Sequence, residues 1–198
     1  MTKLTKLTKL TQDEMDNVIY DARFGDLESL KEIFTDEVEP SVIVTIKDEY
    51  TLATPIHMAA ANGHTEVVKY LLSIIPNKED AKKLVAQQND NGNTALHWAA
   101  LNGHLDVIEL LCEEYDADPF VKNVFEHDSI YEAEKNEKEE VEKYFLEKYD
   151  IEDDEEEKDG EAADEEIKYN EGTEIENVTA DSKKAMDELQ EKTKDLKV

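Results

Sequence analysis

The chain has 198 residues, 51 of them acidic and 22 basic, for a formal net charge of −29. That balance argues against a protein that grips nucleic acid or anionic membrane by charge, and it favours a basic partner. Hydrophobic residues make up 39%, enough for one core with extensions, and a single cysteine excludes an intrachain disulfide.

One cysteine fits a reducing compartment, so cytoplasm and nucleus are the expected locations. No apolar run approaches the roughly 20 residues of a membrane span. The start, MTKLTKLTKLTQDE, lacks the apolar block of a secretory signal. It shares with a mitochondrial presequence the scarcity of acids, but it has no arginine, and a slipped Thr-Lys-Leu repeat accounts for it. Residues 1–12 are therefore expected to form a low-complexity arm.

From residue 13 to 149 the chain writes one pattern four times. Its clearest copies are TPIHMAAANGHTEVVKYLL from Thr54 and TALHWAALNGHLDVIELL from Thr94. A weaker copy precedes them in DARFGDLESLKEIF, and another follows in DSIYEAEKNEKEEVEKYFL. The spacing divides the region into units at roughly 13–48, 49–88, 89–122 and 123–149. A unit that cannot bury its own apolar face needs a neighbour, and the end units diverge because they face water.

Each unit predicts two short helices. Thr54 and Thr94 suit the cap of a first helix. Gly25, Gly63 and Gly103 stand where the chain must reverse, and Glu137 replaces that glycine in the fourth unit. In the second helix Val67, Val68, Leu71 and Leu72 have the spacing of a buried stripe. Between units, NDNGNT at 89–94 and ADPFVKNVFEHD at 117–128 predict turns, as does EYTLAT at 49–54, which has no glycine. After Pro76, Asn77 can cap an extra helix at about 78–86.

Beyond the repeats, 12 of the 17 residues at 150–166 are acidic, and residues 150–170 are expected to be a disordered acidic segment. In 171–198, Ile175, Val178, Ala185, Leu189 and Leu196 recur at helical spacing and predict a weak amphipathic helix.

Catalysis finds little support. His57 and His64 are seven apart, as are His97 and His104, but both pairs recur with the repeat, and one cysteine cannot complete a zinc site. Cys112 falls in the buried stripe. A glycine-rich phosphate loop and a nucleophile elbow are both missing from the sequence. The expectation is no enzyme, no cofactor and no metal.

The T-P-L-H-x-A-like motifs, TPIHMAAANGH and TALHWAALNGH, resemble the ankyrin repeat. The resemblance implies an all-α solenoid of four helix-turn-helix units with β-turn fingers, followed by the acidic extension. It also implies a ligand groove made by the fingers and the exposed side of the first helices. Carried over by position, that surface comprises Tyr50, Thr51, Ala61, Asn62, Asp90, Asn91, Asn93, Leu101, Asn102, Lys122, Phe125, His127 and Lys135. Trp98 belongs to it either as an aromatic anchor or as packing between units. An acidic flank of Glu132, Glu134 and Glu139, with Asp153, Asp154, Glu155, Glu156 and Glu157 from the tail, would suit a basic segment with apolar positions.

The order of TALHWAALNGHLDVIELLCEEYDADPFVKN, KEEVEKYFLEKYD, an acidic run and GTEIENVT is more specific still. Over about 17–180 it resembles the fungal ankyrin-repeat chaperones of a ribosomal protein, the KH-domain protein S-three of the small subunit. That resemblance implies a monomeric chaperone that holds the newly made basic protein soluble in a one-to-one complex and supports its nuclear delivery. Two other readings remain: a general ankyrin adapter between proteins, and a broad acidic chaperone of basic proteins.

Overall fold

The computed structural model describes residues 6–149. Within them four helix pairs stack side by side: α1 (Gln12–Phe24) with α2 (Leu27–Glu32), α3 (Pro55–Ala61) with α4 (Thr65–Ser73), α6 (Ala95–Asn102) with α7 (Leu105–Glu114), and α8 (Ser129–Lys135) with α9 (Glu139–Tyr149). One further helix, α5 (Lys78–Val85), lies between the second and third pairs. The first helices form one layer in the order α1, α3, α6, α8, while α4 meets α2 and α7, and α7 meets α9, in the other. This is the expected four-unit solenoid. The acidic segment 150–170 and the amphipathic stretch 171–198 lie outside the described residues.

The helices start where the sequence supplies caps. Thr11 caps α1 and exchanges hydrogen bonds with Glu14, while Thr54 and Thr94 cap α3 and α6 with a histidine in the reciprocal position. Each such box satisfies two backbone donors that the first turn leaves orphaned. Asn77 caps α5, which begins and ends within a residue of its expected bounds.

Between helices of a pair the backbone turns left-handed. Gly25 and Gly63 have φ of 76° and 72°, and a ring lies directly over each: His64 over Gly25, His104 over Gly63. A Cβ on either glycine would sit 2.7 or 2.6 Å from that ring, so both conformation and close approach demand glycine. In the fourth unit Glu137 takes the same left-handed turn at φ 56°, without glycine's exemption. Leu52 and Glu126 do likewise, at φ 56° and 62°, in the two fingers that lack a glycine there.

The two longest units, 13–48 and 49–88, each carry an insertion. The first inserts a π-helical turn (Ile33–Glu37) and a 3-10 helix (Pro40–Thr45), the second inserts α5, and the 3-10 helix and α5 pack against each other. Phe34, Val42, Ile43 and Ile46 from the first insertion, with Ala81, Leu84 and Val85 from the second, are buried in one core continuous with the repeats. The first insertion was not anticipated, because its apolar residues follow no sustained helical period.

The amino-terminal arm needs correction. From residue 6 onward it belongs to the fold: Leu7 donates its N–H to Glu37 O at 2.8 Å and accepts from Glu39 N at 2.9 Å. Lys6 Nζ donates to Phe34 O at 2.9 Å, and Leu10 is buried. Of the two described leucines in the triplets, Leu10 is buried, whereas Leu7 is 46% exposed and is held through its backbone.

Candidate protein-binding groove

The groove is built from the first helices and the three fingers that precede α3, α6 and α8. Buried histidines fix the fingers. In each case Nδ1 accepts from the backbone N–H of the capping threonine, at 3.2 Å for Thr54 to His57 and for Thr94 to His97. Nε2–H is thereby free to donate into the next finger, from His57 to Asn93 O at 3.0 Å and from His97 to His127 O at 3.2 Å. Burial lowers the His57 pKa to about 4 and lowers that of His97 as well, so both rings are neutral near pH 7. His64 and His104 serve the other edge, donating to Arg23 O at 3.0 Å and Ala61 O at 3.1 Å. The four repeat histidines therefore act as staples between units, and this accounts for their seven-residue spacing.

The fingers also hold one another. Asp90 N donates to Thr51 O at 2.9 Å, and Val124 N to Asn91 O at 3.0 Å. Asn123 Nδ2 reaches Asn93 Oδ1 at 2.8 Å. Within the first finger, Asp48 Oδ1 accepts from Thr51 N and Oγ1, each at 2.7 Å, and these bonds hold its carboxyl below the usual range. This connected edge is pre-organised, which lowers the ordering cost of binding.

The structure brings most of the expected residues to this surface. Tyr50 is 84% exposed at the first finger and Phe125 is 65% exposed at the third. Thr51, Asp90, Asn91 and Lys122 are exposed on the fingers, and Asn62 and Lys135 at the ends of their helices. Asn102 is exposed too, and its Nδ2 spans two units to reach Ala61 O at 3.0 Å. Leu101 and Ala61 are half-buried. Asn93 is chiefly structural, since its carbonyl and side-chain oxygens serve His57 and Asn123. Trp98 is half-buried and its indole N–H is buried without a partner among the described residues, so its main contribution is packing.

Glu132 does not join an acidic flank. It is 9% exposed, and its Oε1 accepts from His127 Nδ1 at 3.1 Å and Asn123 Nδ2 at 3.4 Å. Its α8 position turns inward beside Ala133. Glu134 is exposed on α8, whereas Glu139 begins α9 near Asn102 and Lys138, at the edge away from the fingers. Asp153 to Glu157 lie outside the described residues.

Sequence reasoning missed the groove's first unit. Asp16, Tyr20 and Arg23 of α1, Asp48 and Thr51 of the first finger, and Met58 of α3 surround a hollow of about 290 Å³. Tyr20 stacks on Phe24 with ring centroids 4.4 Å apart, and both rings are exposed. The signal was an aromatic pair at i and i+4 on α1. At the other end Tyr131 was missed: it stacks on His127 at 4.1 Å, with Lys135 Nζ 5.6 Å from its ring centre.

Comparisons with known proteins agree with this architecture. The family described as ankyrin repeats (3 copies) matches residues 18–123. The ankyrin repeat-containing protein YAR1 of Saccharomyces cerevisiae is 50% identical over 191 residues, covering 94% of this chain and 94% of the relative. Among solved structures, the crystal structure of the yeast ribosomal protein Rps3 in complex with its chaperone Yar1 contains a match with a TM-score of 0.71 and 55% identity, covering 73% of this chain and 99% of the matched one. With its stapled helix pairs, its stitched fingers and these matches, the chain belongs to the ankyrin-repeat family.

Proposed function

We propose that this chain is a dedicated chaperone of the small-subunit ribosomal protein Rps3, which it binds one-to-one, keeps from aggregating and accompanies toward the nucleus. The observation that carries the reading is 50% identity to yeast YAR1 across 94% of both chains, together with the match to a structure titled as Rps3 with its chaperone Yar1. The groove supplies the means. Its aromatic and amide side chains sit on a scaffold that the histidine staples keep stiff, which suits capture of a segment of another protein.

Charge supplies the rest. A free ribosomal protein exposes cationic surface meant for RNA, and the client would meet a chain of net charge −29. Residues 150–198 alone hold 20 acids and 7 bases. They would screen that surface while the groove holds its segment. Binding accounts for this function without any catalytic step.

Affinity purification of the full chain at moderate salt tests the reading. One stoichiometric partner, Rps3, is the expected result, whereas a broad set of basic proteins would favour a general acidic chaperone. Deleting 150–198 should impair protection from aggregation more than it impairs groove binding. Equal loss of both would contradict that division of work.

A further inference from the structure

Successive units meet along two edges, one at the fingers and one at the turns within pairs. The central junction, between the second and third units, is stapled at both. His57 Nε2 donates to Asn93 O at 3.0 Å along the fingers, and His104 Nε2 donates to Ala61 O at 3.1 Å along the turns. The junction between the third and fourth units keeps the finger edge. There His97 Nε2 donates to His127 O at 3.2 Å, Asn123 Nδ2 to Asn93 Oδ1 at 2.8 Å, and Val124 N to Asn91 O at 3.0 Å.

Its turn edge is different, because Lys138 stands where His64 and His104 stand in the earlier units. Lys138 covers Gly103 as they cover Gly25 and Gly63: a Cβ on Gly103 would sit 2.9 Å from Lys138 Cδ. By repeat position Leu101 O is the carbonyl that a histidine would reach, matching Arg23 O and Ala61 O. Among the described residues, however, the Lys138 ammonium bonds neither to α6 nor to any acid. A hollow of about 260 Å³ lies at this edge, between Asn102 and Gly103 on one side and the turn at 137–141 on the other. The turn itself is strained, since Glu137 holds a φ of 56° without being glycine. On the outer layer Lys148 meets Glu113 at 3.4 Å, an exposed pair that contributes little in water.

One stitched edge and one loose edge make a hinge. Resting on the Rps3 reading above, we propose that the fourth unit is a hinged end-piece: it opens at its turn edge about its finger edge, and the client leaves through the open form. Val141 and Phe145 keep the closed form dominant, because opening draws them out of the core. Tyr131 and Lys135 lie on α8, whereas Trp98, Leu101 and Asn102 lie on α6. A segment laid across both helices is gripped by both while the junction is closed, and loses the α8 contacts once it opens. Elements that must let go of a ligand are drawn from the least stable part of a fold. The second and third units need not move, since both of their shared edges are stapled.

The test transplants the staple in the full chain. Lys138→His offers a ring to Leu101 O, and at pH 7.5 the added hydrogen bond should slow native-state hydrogen exchange across 129–149 about threefold to tenfold while leaving 49–102 unchanged. Lys138→Met keeps a stem over Gly103 and loses only the charge, so it is the control and should stay within about twofold of the unaltered chain. The reciprocal variant, His104→Lys, loosens the central junction and should speed exchange across 95–149 by a factor similar to that of the added bond. Circular dichroism melts confirm that each variant is folded. Dissociation from purified Rps3 of the same organism should slow in Lys138→His by the factor seen in exchange, and should be unmoved in Lys138→Met. Like exchange in Lys138→His and Lys138→Met, or unchanged exchange in His104→Lys, overturns the hinge. Slowed exchange with unslowed dissociation overturns its part in release. Failure of the unaltered chain to bind Rps3 overturns the functional reading itself, whereas the exchange results concern the chain alone.

Discussion

Among single residues, the buried histidines and the glycines beneath the rings carry the tightest constraints. His57 has a folded pKa of about 4 against an ordinary 6.5, because burial disfavours the charged ring. Above pH 6.5 the ring is neutral whether folded or unfolded, and its bonds to Thr54 and Asn93 are intact. As pH falls from 6.5 toward 4 the unfolded chain takes up a proton that the folded chain refuses, so stability declines by up to about 3 kcal/mol. Urea midpoints at pH 7.5 and 5.0 should show this loss, and a His57→Gln variant should show a smaller one over the same window. Gly63→Ala should cost about 2 kcal/mol, because it combines a left-handed backbone with a Cβ 2.6 Å from His104. Conversely, Glu137→Gly should raise stability by roughly 0.5 kcal/mol, the relief of the left-handed turn being partly offset by glycine's greater freedom when unfolded. Thermal melts of the two variants should move in opposite directions. That the histidines belong to the repeat was legible in the sequence; that each one bonds a neighbouring unit emerged from the fold. The inward turn of Glu132 was not legible, since a lone acid among many reads as solvated until a partner such as His127 is seen beside it.

Pairs and insertions show what the repeat enforces and what it permits. Each inner pair is held from two sides, whereas among the described residues α8 and α9 meet a helix pair on one side only. Stability in such arrays is close to a sum of unit and interface terms. Ile108→Ala in α7, buried between units, should lower the stability of the whole array by about 2–4 kcal/mol. Phe145→Ala in α9 removes a larger buried ring, but its damage should stay within the fourth unit. Hydrogen exchange can separate the two, with protection lost in 123–149 alone for Phe145→Ala and across 49–122 as well for Ile108→Ala. Helix α5 was foreseen because Pro76 and Asn77 punctuate its start. The π-helical and 3-10 turns were not, because irregular helices have no sequence period and depend on what packs over them, here α5 and the arm through Leu7. The first unit's share of the groove escaped notice for a related reason. Its TPLH-like motif is absent, so position-by-position transfer had nothing to attach to Tyr20 and Phe24.

For the molecule as a whole, the account joins a stiff, stapled groove to an excess of negative charge and assigns both to one basic client. Stiffness comes from threonine caps and turn glycines that the sequence announced, and from histidine bonds between units that the fold revealed. The hollow at the first unit required the fold, because Asp16 of α1, Asp48 of the first finger and Met58 of α3 are distant in sequence and meet only when two units stack. The most direct measurement is light scattering of purified Rps3 at physiological salt while the full chain is titrated in. The account predicts that scattering falls linearly and is abolished at one chain per client, and that returning to high salt restores it. Persistent scattering at equimolar chain, or equal suppression by an unrelated acidic polypeptide of the same charge, would contradict it.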